Sequence, residues 1–130
     1  MYRKFERYLL QNITLLSKKP KYNIKSRIWI TTDEGTFLGT GRITLLKEIE
    51  KHGSISKAAK AMKMSYKKAW ELVNSMNTQS KELLVTPKTG GKNGGGSVLS
   101  DTGKKAIELF NALDEQNRTY LDKKIEEIEF

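Results

Sequence analysis

The chain has 130 residues, with 24 Lys and Arg against 15 Asp and Glu, one His and no Cys, for a formal net charge of +9. That length suits one compact domain with an arm, and 37% hydrophobic with 30% charged residues of both signs suits a folded globule. Without cysteine there is no disulfide framework, thiolate metal site or cysteine nucleophile, and the single His52 cannot build a multi-histidine site or a triad, so no catalytic residue, metal ligand or cofactor is assigned.

Phe5, Leu9, Ile13 and Leu16 recur at helical spacing with Tyr8 and Leu15 beside them, predicting a short amphipathic helix in a basic arm over residues 1–22. The first twenty residues interleave charge with short apolar runs, unlike a signal-peptide core. No window approaches the roughly 18 apolar residues of a spanning helix. A cytoplasmic protein without a membrane partner is expected. Residues 24–30 are rich in β-branched and aromatic side chains, Thr32-Asp33-Glu34-Gly35 is a turn signal, and Thr36-Phe37-Leu38 is apolar again. A β-hairpin is predicted within 23–40.

From Arg42 the period becomes helical, with Ile43, Leu45, Leu46 and Ile49 on one arc that ends at His52-Gly53, where glycine supplies a left-handed stop. His52 is expected to be exposed in that last turn. Ser56 is the candidate N-cap of a short alanine-rich helix, and Ser65 of the next, Tyr66 through about Asn77. Two short helices across a tight turn match a helix-turn-helix. With Lys67 at zero and about 100° per residue, Tyr66, Ala69, Trp70, Leu72, Val73 and Met76 fall on one arc, and Lys67, Lys68, Glu71, Asn74 and Ser75 on the other side.

A strand over residues 83–86, a flexible loop over 89–96 and a returning strand over 97–99 predict a wing directly after the recognition helix, closing a domain over 41–100. Ser100 or Asp101 can cap a final helix over 101–130, with Ala106, Phe110, Leu113, Tyr120, Leu121, Ile125 and Ile128 as its apolar stripe. That stripe outlasts the core a small domain offers. Asn117 and Lys124 interrupt it, so packing against a partner helix without a regular coiled coil is expected.

The charge is segregated. Residues 1–30 carry eight bases and one acid and residues 51–105 eleven and three, whereas residues 106–130 carry three and seven. Local positive charge favours a polyanion partner, nucleic acid before membrane. The glycine run from Gly90 to Gly96 departs from the Walker pattern, because Asn93 follows Lys92 and a strand follows the loop. A wing tip approaching DNA is favoured over nucleotide binding or a linker. Trp70 on the apolar arc is assigned to the core in preference to a base-stacking platform with Tyr66. Lys57, Lys60 and Lys63 are divided evenly between a solvated face and backbone positioning.

The run Gly53-Ser54-Ile55-Ser56-Lys57-Ala58-Ala59-Lys60, then Met64-Ser65-Tyr66-Lys67-Lys68-Ala69-Trp70, then Thr89 through Leu99 resembles the DNA-binding domain of ModE-type molybdate-responsive regulators, with a more distant likeness to LysR-type regulators. The resemblance covers residues 41–113. It implies a dimeric regulator of the winged-helix class and, by matching position, implicates Ser56, Lys57, Ser65, Tyr66, Lys67, Lys68, Asn74 and Lys92 in DNA contact. Full-length members carry C-terminal oxyanion-binding domains, and this sequence stops at Phe130, so the resemblance does not extend to direct molybdate sensing.

The expected fold is therefore mainly α (α+β): a winged helix-turn-helix with an N-terminal β-hairpin and a long C-terminal dimerisation helix. The expected function is sequence-specific binding of double-stranded DNA as a homodimer, without catalysis. The alternatives are a winged-helix protein-interaction module, or a molybdate-responsive regulator that senses through a partner.

Overall fold

A computed structural model of the chain describes residues 2–17, 20–88 and 95–130. Its elements run α1 (Tyr2–Ser17), β1 (Ile30–Thr32), β2 (Gly35–Leu38), α2 (Thr40–His52), α3 (Ile55–Ala61), α4 (Tyr66–Thr78), β3 (Val85–Pro87), β4 (Ser97–Leu99) and α5 (Asp101–Glu126). The fold is a mainly α winged helix, with two separate two-stranded antiparallel sheets, β1 with β2 and β3 with β4. Residues Ser26–Thr119 form one compact unit; the residues up to Lys25, with Tyr120–Phe130, form another.

In the larger unit, α2 buries the four residues its period singles out, Ile43, Leu45, Leu46 and Ile49. Around them pack Ala58 and Ala59 of α3, Ala69, Val73 and Met76 of α4, Leu38, Val85 and Leu99 from the strands, Leu84 just before β3, and Ala106 and Phe110 of α5. The alanines of α3 let neighbouring helices approach closely, and no polar or charged residue is buried among the described residues. Gly53 ends α2 at φ 74°, with its amide on the Ile49 carbonyl at 2.8 Å, the left-handed stop its sequence implies.

Several local boundaries differ from the sequence expectation. Pairing in the first hairpin begins only at Ile30, because its partner strand has just the four residues Gly35–Leu38. Residues 24–29 alternate between half-buried and exposed but lie outside the ladder. The cap of α3 is Ser54, whose hydroxyl accepts the Lys57 amide at 3.0 Å; Ser56 lies inside the helix. Gly53 directs the chain into the extended backbone that a cap requires at position 54, which leaves no such role for Ser56. Strand β3 begins at Val85, not at Leu83, because the Asn77 side chain occupies the Leu84 amide. His52 is half-buried, with Nε2 3.0 Å from Glu48 one turn earlier.

Ser100 caps α5 by accepting the Gly103 amide at 3.1 Å. A Cβ at Gly103 would lie 2.3 Å from the Leu84 carbonyl oxygen, so glycine there lets α5 rest on the backbone ahead of the wing. Only Ala106 and Phe110 of the expected stripe are buried; Leu113 is exposed, and Asn117 donates to Ser26 Oγ at 3.0 Å.

In the smaller unit, α1 leaves Phe5, Tyr8, Leu9 and Leu10 largely exposed. Tyr22 meets Phe130 in a tilted ring contact with centroids 4.9 Å apart. Leu121 and Ile125 are half-buried, Tyr120 is exposed, and Ile128 lies beyond the end of α5 instead of on its stripe.

Candidate nucleic-acid interface

The helix-turn-helix consists of α3, a tight turn and α4. Between the helices Lys63 adopts φ 55°, the only non-glycine residue with positive φ among those described. Its amide donates to the Lys60 carbonyl at 3.1 Å and the Met64 amide to Ala59 at 3.0 Å, a Schellman arrangement that satisfies the helix end. Ser65 then opens α4 by accepting the Lys68 amide at 3.0 Å, as its position in the sequence implies.

On α4 the buried set is narrow: Ala69, Val73 and Met76, with Leu72 half-buried. These residues span about 100° of the helix, the usual width of a core-facing stripe. Trp70 lies about 60° beyond that stripe by helical phase. Its indole is 49% exposed and Tyr66 is 56% exposed, which corrects the assignment of Trp70 to the core. Lys67, Lys68, Glu71 and Asn74 are also exposed. The arc of apolar residues on α4 is wider than the stripe that the core covers.

Of the other residues implicated in contact, Ser56 and Lys57 are exposed in the first turn of α3, and the Ser65 hydroxyl is committed to its cap. Lys60 and Lys63 are exposed as well. Lys92 and the central glycines of the loop lie outside the described residues. The base of the wing is well defined: β3 pairs with β4 as Val85 with Leu99, Thr86 with Val98 and Pro87 with Ser97. Ser97 donates its amide to the Gly53 carbonyl at 2.9 Å, which ties the wing to the turn between α2 and α3.

Two side-chain networks hold α4 in place, and neither shows in a local sequence pattern. Asn77 at its C-terminal end binds the backbone at Leu84 and Val85. Ser75 accepts from Arg42 Nη1 at 2.9 Å, while Gln79 Nε2 donates to the Thr36 carbonyl at 2.9 Å, and Thr32 donates its hydroxyl to Gln79 Oε1. Desolvation lowers the Arg42 pKa from its ordinary value, as expected for a guanidinium set between a helix and the hairpin. A signal was available in the polar residues of the last turn of α4, which lie where an ordinary helix would fray into solvent.

Among the described residues there is no group of three or more His, Asp and Glu able to hold a metal, and no helix is long and apolar enough to cross a membrane.

No family model matches the chain. Curated proteins do. It is 41% identical over 98 residues to the molybdenum transport protein ModE of Azotobacter vinelandii, covering 75% of this chain and 36% of that one. It is 49% identical over 77 residues to the transcriptional regulator ModE of Yersinia pestis, and 48% identical over 77 residues to the DNA-binding transcriptional dual regulator ModE of Escherichia coli K12. Each of those matches covers 59% of this chain and 29% of the relative. The matched part is thus about a third of the length of these relatives.

Proposed function

From a chain related to the ModE-type regulators, we propose a sequence-specific regulator of transcription that binds double-stranded DNA as a homodimer. The recognition helix α4 enters the major groove and the glycine-rich loop of the wing lies on the flanking backbone. The observation that carries this reading is the face of α4, where Lys67, Lys68 and Asn74 are exposed outside the apolar stripe that packs Ala69, Val73 and Met76 into the core. Ser56, Lys57, Ser65, Tyr66, Lys67, Lys68, Asn74 and Lys92 are the proposed contact residues. Lysines supply affinity through counterion release, and Asn74 and Lys67 read base edges. Ser65 positions the backbone at the helix start, its hydroxyl being the cap of α4.

The functional division follows the chain: a basic arm over 1–22, a hairpin over 23–40, the DNA-binding domain over 41–100 and a dimerisation helix over 101–130. Exposed Leu109 and Leu113 on α5, and the exposed apolar residues of α1, support self-association through each of those helices. A cytoplasmic location accords with this role.

Selection of bound sequences from a random duplex pool at physiological salt tests the reading. Enrichment of a motif with two-fold symmetry is the expected result. Absence of duplex binding with a winged helix still folded would favour a protein-docking module and overturn the proposal. The name of one relative, a molybdenum transport protein, favours a second element, response to molybdate through a partner. Titrating molybdate while following the melting temperature tests direct sensing, because a ligand of the native state raises stability by mass action. The expected response of this chain alone is flat, and a rise would make the chain itself the sensor.

A further inference from the structure

We propose that Trp70 is a specificity-determining residue that, with Tyr66, packs on thymine methyl groups in the major groove. This rests on the duplex-DNA reading above and names what the exposed aromatic side chains of α4 recognise. Tyr66, Trp70 and Asn74 follow one another at four-residue intervals, so they form a single ridge along the helix. About half of the indole and more than half of the phenol are exposed, while Ala69, Val73 and Met76 fill the core along the neighbouring stripe. Two large rings are thus held in water on the helix the fold presents, at a cost proportional to their apolar area.

The surroundings indicate the occupant. Residues 55–78 carry five lysines, Lys57, Lys60, Lys63, Lys67 and Lys68, against the single acid Glu71. All six are exposed. An apolar ridge bordered by cations suits a polyanion that presents apolar groups of its own. In a duplex the base faces are stacked on their neighbours, so the stacking used by single-strand binders is closed to these rings. The apolar group displayed along the major-groove edges is the thymine C5 methyl. Asn74, one turn beyond Trp70, carries the amide that pairs with the N6 and N7 edge of adenine. The ridge therefore suits a half-site rich in A·T pairs, with thymine methyls under Tyr66 and Trp70 and adenine beside Asn74.

The test uses the wild-type protein and its selected duplex, with thymines replaced one at a time by deoxyuridine, which keeps the base pair and removes the methyl. Replacement at one or two thymines in each half-site is expected to weaken specific binding about fourfold each, the value of one buried methyl group. In Trp70→Ala the penalty at one of these positions disappears, while non-specific affinity and the salt slope remain those of wild type. Its melting temperature stays close to wild type because the indole lies outside the core, and Trp70→Phe retains part of the methyl penalty. Deoxyuridine that is neutral at every position, or undiminished methyl discrimination in Trp70→Ala, would overturn the inference. Tight single-strand binding that Trp70→Ala abolishes would overturn it in favour of base stacking. Loss of all duplex binding by the wild type is a different failure, that of the DNA-binding reading itself, and the inference falls with it.

Discussion

Asn77 Oδ1 accepts the backbone amide of Leu84 at 2.8 Å. The same oxygen takes the Val85 amide at 3.2 Å, and Nδ2 donates to the Val85 carbonyl at 3.0 Å. One side chain thus satisfies the backbone where the chain leaves α4 and enters the wing, and Leu84 is fully buried beside it. Truncation leaves two amides without their acceptor in a part-buried site. Asn77→Ala is expected to cost about 2 to 3 kcal/mol in denaturant unfolding. A loss below about 0.5 kcal/mol would mean that water replaces the side chain without penalty.

A second anchor joins the first hairpin to the same helix. Gln79 donates to the Thr36 carbonyl at 2.9 Å, and Arg42 of α2 donates from Nη1 both to Ser75 Oγ at 2.9 Å and to the Phe37 carbonyl at 3.5 Å. Arg42→Ala removes a charge-assisted bond, and a loss of about 1 to 2 kcal/mol is expected, with faster hydrogen exchange at the amides of β1 and β2 than elsewhere. Arg42→Lys should recover part of the loss, because both contacts come from the single nitrogen Nη1 and an ammonium can donate to either acceptor. Uniform exchange across the unit would show that the hairpin does not open locally.

The periodic parts of this fold are legible in the sequence, and the departures from it have separate physical origins. Ile43, Leu45, Leu46 and Ile49 are buried as their spacing implies, and Ser65 and Gly53 delimit helices as their chemistry implies. Helical phase and cap preference are local properties, so the residues themselves carry them. Trp70 lies outside the core although it is apolar, because apolar character alone does not say how wide a stripe the core can cover. Ser56 lost the cap of α3 to Ser54 because both serines suit the role and only the geometry after Gly53 chooses between them. Asn77, Arg42 and Gln79 form contacts with residues distant in sequence or beyond their own helix, which no local pattern records.

Lys63 offers a test that separates folding from binding. It holds φ 55° in the turn between α3 and α4, where glycine carries no Cβ penalty. Lys63→Gly is expected to leave stability unchanged or raise it by up to about 1 kcal/mol, as relief of strain offsets the greater freedom of the unfolded chain. The same substitution removes an exposed cation from the lysine-rich face, so duplex affinity should fall with a shallower salt slope. A large destabilisation would mean that the lysine side chain, not the backbone conformation, holds the turn.

Base-edge and phosphate contacts predict different signatures for the remaining polar residues. Lys67 and Asn74 are exposed on α4 and contribute nothing to the apolar core, so Lys67→Ala and Asn74→Ala should fold as wild type does. A bidentate base contact is worth about 1 to 3 kcal/mol of discrimination, and loss of either side chain should reduce specific affinity and relax preference at one position of the half-site. Lys92→Ala in the wing loop should instead weaken binding about equally on all sequences and reduce the salt slope by about 1. Competition binding at several salt concentrations, on the selected site and on a scrambled duplex, distinguishes these outcomes. Equal affinity of Lys67→Ala or Asn74→Ala with wild type would remove that residue from the interface, and an unchanged slope for Lys92→Ala would remove the wing tip.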